Sequence, residues 1–254
     1  MKFKKPNFWD QNKSIFSYFF YPLTIITKII NFLKNKNKKI KKNIKTICVG
    51  NIYVGGTGKT QLSIKINNLL KSKYKTVLIK KKYSDQEDEQ KLLGLNGNLI
   101  CEKNRIDALE IAEKKGFQVA ILDDGLQDKR IVYDLSFVCF NYQLGIGNGM
   151  LLPAGPLRES LKNLKNYEAV FLNGNVKNEN LINLIKRINH SIKIFDGKYF
   201  LANDEKFDKN KKYLAFTGIG NPKSFENTLN EYKFKILEKI YYPDHYNYTN
   251  KDII

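Results

Sequence analysis

The run Gly55-Gly56-Thr57-Gly58-Lys59-Thr60 stands between a short apolar segment, Ile47-Cys48-Val49-Gly50, and an apolar pattern at helical spacing through Leu62, Ile66, Leu69 and Leu70. Strand, glycine loop and helix in that order make a phosphate cradle. Glycines let the backbone approach a phosphate and turn successive N–H groups inward, while the helix N-terminus adds a positive dipole end. Tyr53, Val54, Gly55, Gly56, Thr57, Gly58, Lys59 and Thr60 are therefore the candidate nucleotide-binding residues. Lys59 would reach the β- and γ-phosphates of ATP, and the Thr60 hydroxyl would ligate Mg²⁺. The usual motif opens on a further glycine, and Tyr53 occupies that place here.

A second site follows from Val119-Ala-Ile-Leu-Asp123-Asp124-Gly-Leu-Gln127. An unbroken apolar run implies a strand buried on both faces, as in a parallel sheet covered by helices. Acids at its C-terminal end lie beside the phosphate loop in such an architecture. There Asp123 or Asp124 can hold Mg²⁺ directly or through water. The two sites together predict an α/β fold, a P-loop NTPase-like, mostly parallel sheet flanked by helices.

The remaining patterns fit that frame. Strands are expected over Thr76–Ile79, Leu99–Cys101, Leu135–Asn141, Tyr167–Gly174 and Ser191–Phe195, and helices over Arg105–Lys115 and Asn180–His190. Asp85 to Glu89 form an acidic loop ahead of a helical pattern at Leu92, Leu93 and Leu95, where capping explains most of the acids. Gly145 to Gly149 reads as a flexible loop. The prolines after it fix an irregular path that ends on Arg158 and Glu159, and an arginine there can face a phosphate. Residues 197–212 turn polar and mark a boundary, with strands over Tyr213–Gly220 and Phe234–Tyr242 around a helix starting near Pro222. The expected division is a kinase-type domain over 1–196 and a linker with a smaller α/β domain over 197–254.

The three cysteines are odd in number, widely spaced and mostly inside apolar runs, which predicts reduced core thiols. A formal net charge of +19 ordinarily points to nucleic acid or an anionic membrane. The lysine excess is spread along an Asn- and Ile-rich chain, so the charge is compositional and no nucleic-acid partner is expected. Nor does an Asn-Lys-x-Asp guanine signature follow a core strand.

Residues 15–33 are the most apolar and aromatic stretch, followed by a dense basic run from Lys34 to Lys45. Pro22 and Lys28 interrupt it, which argues against an unbroken spanning helix. An apolar face followed by lysines suits a helix lying in the membrane interface, near anionic head groups. The competing reading is an amphipathic helix packed on the protein's own core.

Eight segments, taken in order, resemble the tetraacyldisaccharide 4'-kinase family, the lipid A 4'-kinases of Gram-negative bacteria. They are Pro6-Asn-Phe-Trp9, Val49-Gly-Asn51 with Val54 to Thr60, Asp88-Glu89, Asp123-Asp-Gly-Leu-Gln127, Gly147-Asn-Gly149, Leu152-Pro-Ala-Gly-Pro-Leu-Arg-Glu159, Gly218-Ile-Gly-Asn-Pro222 and Tyr242-Pro-Asp-His245. The family's loop also lacks the first glycine, which accounts for Tyr53.

The resemblance implies transfer of the ATP γ-phosphate to the 4'-hydroxyl of an acylated glucosamine disaccharide 1-phosphate, at the cytoplasmic face of the inner membrane. It implies a site between the P-loop core and a smaller C-terminal domain. It places the proton-accepting role on Asp88 with His245 as partner, and support on Glu89, Gln127, Asp128, Arg158 and Glu159. Three departures stand out. Lys81-Lys82-Tyr83 replaces the family's Arg-Gly-Tyr, Asp128 replaces a histidine, and Ile254 comes where family members usually continue. The competing readings are another P-loop enzyme, a basic nucleic-acid-binding ATPase and an inactive paralogue.

Overall fold

The computed structural model describes residues 5–11, 13–36, 38–83, 87–243, 246 and 248–252. In chain order the elements are α1 (Ile15–Phe20), α2 (Thr24–Asn35), β1 (Lys45–Gly50), α3 (Lys59–Leu70), β2 (Thr76–Lys81), α4 (Glu87–Asn96), β3 (Leu99–Glu102), α5 (Arg105–Lys114), β4 (Val119–Asp123), β5 (Leu135–Asn141), β6 (Ala169–Asn173), α6 (Glu179–Ile188), β7 (Lys193–Gly197), β8 (Lys212–Thr217), α7 (Pro222–Glu231) and β9 (Lys235–Tyr241). Strand and helix boundaries shift by up to three residues from the sequence expectation, the largest at β8, which ends at Thr217 and not Gly220.

Seven strands form one parallel sheet in the order β3-β2-β4-β1-β5-β6-β7. Every residue of β4 is buried, as its unbroken apolar run requires. The period of two divides the sheet between its faces. Val77, Ile79, Ala120 and Leu122 pack against Ala108, Leu109 and Ala112 of α5. Leu78 and Ile121 pack against Leu62 and Ile66 of α3 and Leu93 of α4. β1 lies between β4 and β5, where the chain reverses its direction of travel across the sheet. Ligands of open α/β sheets bind at that point, beyond the carboxyl ends of the strands. Cys48 and Cys139 are free and buried, and Cys101 is free and partly buried.

β8 and β9 form a separate two-stranded parallel sheet joined through α7. It meets the main body at the end of β6, where the Asn173 amide donates to the Tyr199 hydroxyl at 2.5 Å and Asn175 bonds Glu231 of α7.

Two expectations need correction. Pro22 does not break the N-terminal segment. It falls in a single 3₁₀ turn, Tyr21–Leu23, at a position where its missing N–H is not needed, and the helical path continues. Ile15–Lys34 is thereby 20 residues long with a mean hydropathy of 1.3, enough by length and composition to cross a bilayer. The Gly145–Gly149 loop is pinned: the Asn148 N–H donates to the Trp9 carbonyl at 2.7 Å, and the Asn141 side chain accepts from Gln143 N and Leu144 N.

The N-terminal helix docks by its polar side. Ser17 and Thr24 are buried; Ser17 accepts from Asn148 at 3.0 Å, Thr27 donates to Leu152 O at 2.7 Å and Asn31 donates to Arg158 O at 2.9 Å. The opposite side leaves Ile15, Phe16, Phe19, Ile25, Ile29 and Phe32 more than half exposed. Burying one such side chain is worth roughly 1.5–3 kcal/mol. The apolar face therefore turns away from the protein core, the reverse of the core-packed reading.

Candidate active site

β1 ends at Gly50, and the loop from Asn51 to Gly58 carries the chain into α3. Gly58, at φ +82°, is the left-handed residue that starts the helix, and a Cβ there would lie 2.1 Å from the Asn173 amide nitrogen. No side chain fits. Asn51 holds the loop in shape, its amide donating to Gly55 O at 3.2 Å and to Thr57 Oγ1 at 2.9 Å. The expectation that Tyr53 lines the nucleotide is corrected for its side chain. The ring is fully buried and its hydroxyl accepts from Lys5 at 2.7 Å, so only its backbone belongs to the cradle. Lys59 Nζ stands 3.9 Å from Asp124 Oδ1.

The two acids at the end of β4 have different surroundings. Asp123 is fully buried and accepts from Thr60 Oγ1 at 3.2 Å, Ser63 Oγ at 3.1 Å and Lys80 Nζ at 2.8 Å. Asp124 sits in the left-handed region at φ +55°, a conformation that favours glycine. It is held there by Arg158, whose Nη2 donates to Oδ1 at 2.7 Å. Burial alone would raise the Asp124 pKa, but Lys59 and Arg158 outweigh it and hold the carboxyl well below the usual carboxylate range. Thr60, Asp123 and Asp124 offer the hard oxygen donors Mg²⁺ prefers. Among the described residues no three metal-ligating side chains converge into a cage, and a metal carried by nucleotide phosphates needs none.

Arg158 also donates to Asn51 O at 2.8 Å and to Asn51 Oδ1 at 2.5 Å, so one guanidinium joins the loop to the acid. Gln127 donates to Asn51 O and to Glu159 Oε1, both at 2.9 Å. Glu159 is buried, taking further bonds from Lys129, Asn163 and Tyr167. It braces Gln127 and does not face the cradle. Asp128 turns to Arg130, a two-pronged pair at 2.8 Å for each bond, and its pKa falls because that pairing outweighs burial. Asp128 and Arg130 border a cavity of about 300 Å³ with Lys81, Lys103, Asn104 and Arg105.

Asp88 lies exposed in the first turn of α4, beside Glu89, which bonds the buried Lys80. His245 lies outside the described residues, and with it the expected Asp88–His245 pair. A larger cavity of about 970 Å³ lies between the ends of β5 and β6 and α7, lined by Asn141, Gly174, Asn175, Tyr199, Ser224 and Asn227 among others.

Sequence reasoning missed Lys80, Asn51, Arg105 and Asn221. Lys80 was legible only as the first of three lysines, yet it is 2 % exposed while its neighbour Lys82 is exposed. The signal was its place as the next-to-last residue of an apolar strand, in register with Asp123 of β4. Three buried side-chain nitrogens have no hydrogen-bond partner among the described residues: Arg105 Nε, Arg158 Nε and Asn221 Nδ2. All three are donors at the carboxyl edge of the sheet, the arrangement an anionic ligand would satisfy.

A sequence model of the family described as LpxK, tetraacyldisaccharide-1-P 4'-kinase, matches residues 15–254. The chain is 54% identical over 257 residues to the tetraacyldisaccharide 4'-kinase of Pelagibacter ubique, covering 99% of this chain and 81% of that protein. It is 34% identical over 272 residues to the Rickettsia bellii protein of the same name, covering 100% and 83%. The structure is similar to the crystal structure of LpxK from Aquifex aeolicus in complex with ATP, with a TM-score of 0.70 at 24% identity over 93% of this chain and 84% of that one.

Proposed function

The chain belongs to the tetraacyldisaccharide-1-phosphate 4'-kinase family, and from that premise we propose how its residues share the work of the reaction. It is an ATP-dependent kinase that phosphorylates the 4'-hydroxyl of tetraacyldisaccharide 1-phosphate. The loop from Val54 to Thr60 wraps the phosphates with its N–H groups, and Lys59 neutralises the β/γ charge. Thr60 with Asp123 and Asp124 would hold Mg²⁺, which screens the phosphate charge when bound. Arg158 keeps Asp124 ionised and aimed at Lys59.

Asp88 accepts the proton of the 4'-hydroxyl as the sugar oxygen bonds the γ-phosphorus and the bond to ADP breaks; His245 is its partner. The basic cavity of Lys81, Lys103, Arg105 and Arg130 takes the 1-phosphate of the substrate. The exposed apolar face of α1 and α2 rests in the cytoplasmic leaflet of the inner membrane, where the acylated substrate resides. The units 1–196 and 197–254 act as two domains with the nucleotide between them.

What carries this reading is a set of buried nitrogens without a hydrogen-bond partner among the described residues, Arg105 Nε, Arg158 Nε and Asn221 Nδ2, beside a glycine loop and two acids. Two substitutions test it. Lys59→Ala should lower turnover by roughly two or more orders of magnitude. Arg105→Ala should raise KM for the 1-phosphorylated lipid and leave unchanged the weaker KM for the same lipid lacking its 1-phosphate. Near-normal turnover in the first, or equal losses on both lipids in the second, would contradict the assignments.

A further inference from the structure

The Gly218-Ile-Gly-Asn-Pro222 segment contributes the buried Asn221 amide, to which no ligand has been assigned above, and it passes close to the phosphate cradle. It leaves β8 and enters α7, with Asn221 at the N-cap and Pro222 as the first helical residue. A Cβ placed on Gly56 would lie 3.6 Å from Asn221 N and 3.7 Å from Gly220, so the segment passes within one side-chain carbon of the Gly56 backbone. The second sheet thus lays one end of α7 against the middle of the loop.

Asn221 is an anomaly among N-caps. An asparagine there normally accepts a hydrogen bond from a first-turn N–H through its side-chain oxygen, which is why the position favours it. Here the side chain makes no cap bond. The residue is 7% exposed, and its Nδ2 has no partner among the described residues. A buried amide donor left unbonded costs about 1–3 kcal/mol. The cost is recovered when an acceptor arrives. An oxyanion is the acceptor the surroundings favour, since the start of α7 contributes a positive dipole end and Gly56 lies in the part of the loop that cradles phosphates.

We propose that Asn221 is a phosphate-binding residue supplied by the second sheet, its side-chain amide donating to the β- or γ-phosphate of ATP held in the Gly55–Thr60 loop. The proposal rests on the ATP assignment. It gives the segment a function in closing the site: the nucleotide's terminal phosphates bond the main sheet through the loop and the second sheet through Asn221. The fixed position of the segment supports this. Tyr242 N donates to Thr217 O at 2.8 Å at the end of β8, and the Asn175 amide bonds Glu231 in the last turn of α7.

The test measures ATP, ADP and AMP binding to the full chain by calorimetry, for wild type, Asn221→Ala and Asn221→Asp, with thermal unfolding alongside. Asp is at least as good an N-cap as Asn, so a capping role predicts unchanged or higher thermal stability and unchanged binding in Asn221→Asp. The phosphate role predicts at least a tenfold loss of ATP affinity in Asn221→Ala and a larger one in Asn221→Asp, where a carboxylate faces the phosphates. ADP should lose less than ATP if the γ-phosphate is the partner and as much if it is the β-phosphate. AMP binding should not change. Wild-type ATP affinity in both variants, or equal losses for ATP, ADP and AMP, would overturn the proposal. Failure of the folded wild type to bind ATP would overturn the ATP assignment itself, and this proposal with it.

Discussion

The side-chain amide of Asn31 donates to the carbonyl oxygen of Arg158 at 2.9 Å. The helix with the exposed apolar face is therefore bonded directly to the residue whose guanidinium holds Asp124. Thr27 adds a bond to Leu152 at the other end of the same proline-rich segment. Polar residues on a helix normally face water; here they face the protein, and the apolar side chains of the same helix stay exposed.

Asn31→Ala should remove one hydrogen bond worth about 1 kcal/mol from the support of Arg158 and lower kcat several-fold. Binding to anionic vesicles, measured by sedimentation, should stay at the wild-type level because no apolar residue is lost. Deleting residues 15–33 should abolish vesicle binding. Unchanged kcat in Asn31→Ala would mean that the helix serves as an anchor alone.

Lys80 is a buried ammonium between Asp123 and Glu89. Burial alone would lower its pKa, but the two carboxylates outweigh it and raise the pKa above the usual lysine value. Removing one partner of a buried pair strands the other charge, so Lys80→Met should destabilise the protein by about 3–5 kcal/mol in urea unfolding. Lys80→Met with Asp123→Asn should recover much of that loss. An additive double variant would show that the two are not energetically coupled.

The pH dependence separates the carboxylates. Asp124 has a depressed pKa in the folded protein, so its charge contributes stability above its unfolded value and loses that contribution only as pH falls through the folded value. It stays ionised across the working range. The acidic limb of the kcat profile should therefore keep its midpoint in Asp124→Asn while its plateau falls. A shifted midpoint would assign the limb to Asp124.

How far the sequence could be read depended on whether a residue's role is local. Gly58, Lys59 and Thr60 are set by one strand–loop–helix unit, and β4 by its own apolar run, so both were legible. Asp123 was legible as an acid at a strand end, but its bond to Lys80 depends on the register of β2 with β4, which no local pattern encodes. Glu159 was expected, from the family resemblance, to support the site, and the chain sends Arg158 to Asp124 while Glu159 turns into the core to brace Gln127. The N-terminal helix was legible as apolar. Which side it docks by followed from four polar residues whose partners lie more than a hundred positions away or in the preceding turn. Asn221 was hidden because asparagine before a helix already has an ordinary explanation.

In the proposed reaction the 4'-hydroxyl of the lipid sugar takes the phosphoryl group while Asp88 accepts its proton. The most direct test is incubation of the full chain with γ-labelled ATP and acylated glucosamine disaccharide 1-phosphate in detergent micelles, with the lipid analysed by mass spectrometry. Wild type should yield the bis-phosphorylated lipid carrying the label at the 4'-position. Asp88→Asn should form it roughly two or more orders of magnitude more slowly while binding ATP with nearly unchanged affinity. Unlabelled lipid from wild type, or wild-type turnover in Asp88→Asn, would contradict the account.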